Sequence, residues 1–264
     1  MLLTKRKSIR QLVGLAETTN WLFLKLLLRN PGAARMYPGE AFRLYMSLAK
    51  RDKWRAGTII QIFPELRERD FRITLQHMPG RGIRTPVDEL AYMALITAWL
   101  QPRLVFEFGT FRGRTALNFA LNSPQDCEIH TLDLGELDDG ASDAGDADAH
   151  LVAKRIPGED YKGRDVAPKI HQLFGNSLGY DFSRFEGKVD LVFVDGGHTY
   201  EVAHADTENA LRMCRPGGVI LWHDFANYGD YHDVIRAVLD CLPGDQIYQI
   251  HDTQLAVYRV PQVP

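Results

Sequence analysis

The sequence predicts an α/β protein: a mostly parallel seven-stranded sheet closed by an antiparallel C-terminal strand, preceded by a helical N-terminal extension. Three observations carry this. Arg103–Thr115, RLVFEFGTFRGRT, is a run of strand formers that breaks into a glycine turn and then into the helical pattern Ala116–Ala120, as a buried parallel strand feeding a helix does. Apolar runs ending in carboxylates recur at Asp133, Asp195 and Asp224. The chain then finishes on two short apolar runs joined by a turn, Gln246–His251 and Leu255–Val260, which reads as an antiparallel edge pair.

Composition narrows the function classes. A length of 264 residues suits one large α/β domain or a domain with an appendage. With 45% hydrophobic and 25% charged residues the chain reads as soluble and globular. A net charge of -3 supplies no basic field, which argues against nucleic acid and for a small-molecule partner. Cys127, Cys214 and Cys241 are odd in number and lie in apolar runs. They are expected to be buried thiols of a reducing, cytoplasmic compartment, with neither a disulfide framework nor a C-x-x-C metal pair. The apolar stretch Trp21–Leu28 is interrupted by Lys25, and is too short for a transmembrane segment and unlike a secretory signal.

In chain order, residues 1 to about 30 start basic, turn apolar and stop at Asn30-Pro31-Gly32, an amphipathic helix. Gly39 to about Arg67 is read as a second helical region. Residues 1–84 therefore form the expected extension, as a cap over the site or the contact of a homo-oligomer, a dimer; peripheral membrane contact by the basic helix is the alternative. In the turn-rich stretch to Pro86, Arg81 and Arg84 read as solvated arginines, with contact to an anionic substrate the alternative. A helix Val87–Leu100 follows, with Thr85 as its cap, Pro86 at its first position and Glu89 three residues in.

The domain of residues 85–264 begins with that helix. Its first strand runs into Glu107, Gly109, Thr110, Phe111 and Gly113. The spacing E-x-G-x-x-x-G is not the dinucleotide fingerprint G-x-G-x-x-G, yet it still presents backbone N–H groups to a carboxylate, a phosphate or a nucleoside. A second strand, Glu128–Leu132, ends in Asp133, placed for a ribose diol, with a turn or N-cap aspartate as the plainer reading. The insertion at about 135–168 opens acidic and rich in Gly and Ala, without calcium-loop spacing; it is read as a surface loop, the remainder able to close over a ligand. Ile170–Ser177 supplies a third strand and its tip. Val189–Tyr200, VDLVFVDGGHTY, is a buried strand ending in Asp195, Gly-Gly and His198. After a helix, Arg215–Gly218 leads into Val219–Trp222 and then His223-Asp224. Adjacent parallel strands therefore bring Asp195, His223 and Asp224 to the carboxyl edge that also carries the Gly109 loop.

Taken together, E-F-G-T-F-R-G-R-T, T-L-D, G-N-S, F-V-D-G-G-H-T-Y and R-P-G-G-V-I-L-W-H-D-F resemble the class I S-adenosyl-L-methionine (SAM)-dependent methyltransferases, within them the Methyltransf_24-like group and the enzymes similar to catechol O-methyltransferase. The resemblance covers about residues 85–260 and implies a Rossmann-like fold. It also implies a SAM site of Glu107, Gly109, Thr110, Phe111, Gly113, Thr115, Asp133, Asn176, Ser177 and Asp195. In that reading the glycine loop and Thr115 hold the methionine end, Asp133 the ribose, and Asn176 or Ser177 the adenine. The metal-dependent relatives imply a divalent ion on Asp195, His223 and Asp224. The first residue of the adjacent pair is normally acidic in them and is His223 here, so magnesium is less favoured against manganese, zinc or iron. His198 falls where those relatives carry the general base, so His198 and Asp195 are the catalytic candidates. The implied activity is O-methylation of a sugar or phenolic hydroxyl. The rivals are a hydroxylase similar to cephalosporin hydroxylases, a non-catalytic SAM-binding protein and, more distantly, a nicotinamide dehydrogenase.

Overall fold

The computed structural model describes residues 54–77, 85–134, 156–225 and 232–262. The helices expected before residue 54, the arginines at 81 and 84, and the acidic stretch 135–155 lie outside the described residues.

The sheet has eight strands: β1 (Arg55–Gly57), β2 (Leu104–Phe108), β3 (Glu128–Asp133), β4 (Ile170–Phe174), β5 (Val189–Val194), β6 (Cys214–Trp222), β7 (Tyr248–Ile250) and β8 (Ala256–Arg259). Their order is β1-β7-β8-β6-β5-β2-β3-β4. β8 runs antiparallel to β6 and β7, and every other pairing is parallel. All seven expected strands are present. The eighth, β1, comes from a stretch read as helical: Arg55-Ala-Gly57 has no apolar alternation, and it becomes a strand by pairing with β7. Among the described residues of that stretch, the short α-helix Ile59–Ile62 and the 3₁₀ helix Pro64–Arg67 keep the expected helical character. Arg259 fastens them to β8: it donates to the Ile62 carbonyl at 3.1 Å and to Glu65 at 2.7 Å, its guanidinium lying over the Phe63 and Trp99 rings.

Strand residues alternate between two cores, as the pleat requires. Val105, Leu191, Phe193, Val219 and Leu221 pack with Leu90, Met93 and Ile96 of helix α1 (Val87–Leu100) and Leu117 and Phe119 of helix α2 (Arg114–Asn122). Phe106, Phe108, Val192, Ile220 and Trp222 pack on the other face with Ala203, Ala210 and Met213 of helix α3 (Tyr200–Met213) and Val234, Ile235 and Val238 of helix α4 (His232–Cys241). Burial on both faces explains why the strands read as unbroken apolar runs. From β2 the chain steps to β3 and β4 on one side, then returns to β5 and β6 on the other. The crevice over the carboxyl ends of β2 and β5 is thus the switch point of the topology, where open α/β sheets take their ligands.

Candidate active site

Gly109 ends β2 with φ +88°, and a Cβ there would lie 2.0 Å from the Asp195 carbonyl oxygen at the end of β5. Glycine is what lets the two strand ends touch across the switch point. Gly113, φ 83°, is the N-cap of α2 and offers its first turn no side-chain acceptor, so that turn presents N–H groups towards the crevice. Phe111 between them has φ 48° and a partly exposed ring. Thr115 is buried in the first turn of α2.

Asp133, at the tip of β3, is nearly buried and does not stand apart from this loop. Its Oδ2 accepts from the N–H groups of Thr110 and Phe111 at 3.1 and 2.8 Å, and its Oδ1 from the Leu134 N–H at 2.7 Å. The carboxylate therefore shapes the loop. Beneath the loop a polar chain runs through the sheet. Tyr161 O–H donates to Gln172 Oε1 at 2.8 Å, Gln172 Nε2 to Thr110 Oγ1 at 2.9 Å, Thr110 and Thr131 hydroxyls meet at 2.7 Å, and Thr131 donates to Glu107 at 2.5 Å. Burial pushes the Glu107 carboxyl well above its ordinary value, with Thr131 opposing. Glu107 is thus placed under the loop, as its buried register partner Thr131 demands.

On the other side of the switch point, β5 and β6 end in register, Val194 opposite Trp222, which sets Asp195 beside His223 and Asp224. His198 Nε2 lies 2.8 Å from Asp224 Oδ2. His223 Nδ1 lies 3.2 Å from both Asp195 and Asp224, and its Nε2 lies 2.8 Å from Glu89. Burial would depress the His223 imidazole, but Asp195 and Asp224 raise it well above its usual value. Desolvation raises the Asp195 carboxyl, with His223 opposing. Burial also acts against ionised Asp224, yet His223 and His198 outweigh it and hold that carboxyl far below the carboxylate range. Asp224 itself takes the left-handed conformation, φ 55°, a strained state that clusters at functional sites.

The three residues expected to hold a metal, Asp195, His223 and Asp224, lie together here. His223 has both ring nitrogens turned to carboxylates, Nε2 to Glu89 and Nδ1 to Asp195 and Asp224. Within the crevice, ligand atoms of Asp195, His198 and Asp224 come within 4.8 Å of one another.

Asn176 is exposed and its side chain accepts from the Leu178 N–H at 3.0 Å. Ser177 hydrogen-bonds Asp206 of α3, whose Oδ2 sits where a Cβ on Gly196 would meet it at 2.7 Å.

Glu89, Asp206 and Tyr161 are missing from the sequence-derived site. Glu89 stands at the third position of α1, where the sequence expects Thr85 as the cap and Pro86 at the first position. Instead Pro86, not Thr85, is the N-cap, and the buried Glu89 carboxylate accepts from the Gln254 N–H at 2.6 Å as well as facing His223. No local pattern carries a partner 134 residues away. Tyr161 belongs to the insertion, whose described part packs on the loop: a Cβ on Gly113 would meet the Tyr161 ring at 2.5 Å, and Arg112 pairs with Asp160 at 3.3 Å. A separate cavity of about 400 Å³, lined by Arg69, Arg72, Gln101 and Asn122 among others, contains none of these residues.

Residues 106–225 match the model of the Methyltransf_24 family, described as a methyltransferase domain. No curated protein sequence matches the chain. Among solved structures, SAH-bound PaMTH1, a methyltransferase of Podospora anserina, is 14% identical, with 84% of this chain and 96% of that one covered at a TM-score of 0.51. Cofactor-bound Rv0187 from MTB is 18% identical, covering 71% of this chain and 85% of that one at 0.48. An O-methyltransferase from Bacillus cereus in complex with SAH is 14% identical, covering 83% and 97% at 0.47. At such identities the likeness concerns the fold.

Proposed function

We propose that this chain is a SAM-dependent methyltransferase that transfers a methyl group to a hydroxyl of a small-molecule acceptor, a sugar or a phenol, a reading that the match of residues 106–225 to a methyltransferase-domain model supports. The observation that carries this is the placement of Asp195, His198 and Asp224 directly across the switch point from the Gly109 loop. Bound SAM supplies an electrophilic sulfonium methyl. The first-turn N–H groups of α2, with Thr115, receive its carboxylate; Asp133, held in place by the loop, receives the ribose hydroxyls; Asn176 or Ser177 lies at the adenine edge.

His198 accepts the acceptor's hydroxyl proton, and Asp224, which stays ionised, orients the imidazole at 2.8 Å and stabilises the imidazolium that forms. Asp195 closes the acceptor side of the crevice. Glu89 and His223 fix the two aspartates from behind. The remaining contribution is proximity of nucleophile and methyl. A divalent ion on Asp195, His198 and Asp224 would supply a Lewis acid that lowers the hydroxyl pKa. His198 has one role or the other, ligand or base.

The test is titration of SAM into metal-stripped protein, repeated with magnesium, manganese and zinc, followed by product mass on a panel of sugars and phenols. Micromolar binding, lost in Asp133→Ala, and products heavier by one methylene are expected. His198→Ala should retain SAM affinity while kcat falls about 10²-fold or more. Products heavier by one oxygen, or protein that binds no SAM under any condition, would refute the proposal.

A further inference from the structure

A second group of ligating side chains lies away from the crevice, towards the amino ends of β3 and β4. Glu128 and His130 are two residues apart on β3 and so share one face of the sheet. His171 of β4 is the register partner of His130. The two imidazoles stack at 4.7 Å between centroids with their planes 20° apart, and His130 Nε2 lies 3.2 Å from Glu128 Oε2. One ligand atom from each residue falls within 4.8 Å of the other two. Asp133, the cofactor-side carboxylate, stands at the opposite end of β3, so this group is separate from the crevice.

We propose that Glu128, His130 and His171 form a zinc site, a metal clip between β3 and the edge strand β4. Two imidazoles and one carboxylate are the donor set zinc takes in sites that leave a fourth position to water. Strand pairing has already aligned the two imidazoles, which removes part of the ordering cost. Phe185 holds the His130 ring edge-on at 5.0 Å, and His130 Nδ1 is buried with no hydrogen-bond partner among the described residues. Nε2, turned to Glu128, is therefore the ligating atom. Glu128 is 61% exposed and His171 is also exposed. Both can swing the further distance that zinc bonds of about 2.0–2.2 Å require without disturbing the core. Arg184, over the Phe185 ring at 4.5 Å, is the cation the site must tolerate.

The clip matters for the crevice because β4 carries Gln172, which holds Thr110 of the glycine loop, and ends at Asn176 and Ser177. Zinc would tie the outermost strand to its neighbour and stabilise the protein by mass action.

The experiment uses full-length, metal-stripped protein bearing His198→Ala, which disables the ion cluster in the crevice. Zinc binding is read by competition with a chromophoric chelator, together with cobalt absorption and thermal unfolding with and without zinc. The expected result is one equivalent of zinc, tetrahedral cobalt bands and a raised Tm. Adding His171→Ala, a change on an exposed side chain, should weaken zinc at least tenfold and remove the Tm rise, with metal-free Tm unchanged. Zinc binding that is absent in His198→Ala, or undiminished by His171→Ala, would overturn the proposal.

Discussion

At the scale of single residues, the buried carboxyls show how little a sequence says about charge. Asp206 sits on α3, in a helical stretch that reads as ordinary, yet its side chain is buried, Ser177 is its hydrogen-bonding neighbour and its Oδ1 has no partner among the described residues. Burial pushes its pKa up to about 7, with Ser177 opposing. In the unfolded chain the group releases its proton near the ordinary aspartate value of about 3.9. Between those two values the folded state binds the extra proton, so stability falls as pH rises from about 4 through 7 and is flat beyond. Asp206→Asn keeps a partner for Ser177 and removes the ionisation. We expect its urea stability to exceed that of the parent by a few kcal/mol at pH 8, and the two to converge near pH 4. A constant difference across that range would show that Asp206 is ionised throughout.

At the scale of elements, the glycine loop is held by shape more than by its hydrogen bonds. Gly113→Ala keeps the loop's N–H groups but forces a Cβ to within 2.5 Å of the Tyr161 ring from a left-handed backbone. Backbone strain and overpacking together should cost about 2–4 kcal/mol. Tyr161→Phe keeps the ring and removes only the 2.8 Å bond to Gln172, a loss of about 1 kcal/mol. Denaturant midpoints of both variants give the comparison; the reverse ranking would mean that the polar chain to Glu107, not the fit of the ring, sets the loop. The motif E-x-G-x-x-x-G was legible because chain reversal and close approach demand glycine locally. Tyr161 was not, because the segment that supplies it lies beyond an acidic, Gly-rich stretch with no apolar period.

At the scale of the molecule, the sheet extends further towards the N-terminus than the motifs do. β1 covers the outer side of β7, and Ile59, Ile62, Phe63 and Leu66 are buried in the core that holds α1. A chain begun at residue 85, where the motif-bearing region starts, would lose these side chains, each worth roughly 1.5–3 kcal/mol. It would also leave β7 as an open edge. Since total stability is only about 5–15 kcal/mol, we expect that truncation to be insoluble or unfolded, and one begun at residue 52 to give a cooperative melt. A cooperative melt of the shorter chain near the parent Tm would refute the role assigned to residues 54–67.

What the sequence determined by itself was the set of parallel strands, their glycine turns and the carboxylates at their ends, because periodicity, turn chemistry and burial are written within a few residues of each other. It also brought Asp195, His198, His223 and Asp224 to one edge, since adjacent strands ending in register leave no other arrangement. Tertiary structure alone decided which partners those side chains take. His223 is drawn to Glu89, from a helix far away in the chain, and to both aspartates; His198 is left beside Asp224. The same holds for β1, whose three residues form a strand only because β7 offers them an edge. In each case the deciding partner is distant in sequence, and its electrostatic or hydrogen-bonding pull exists only once the sheet has closed.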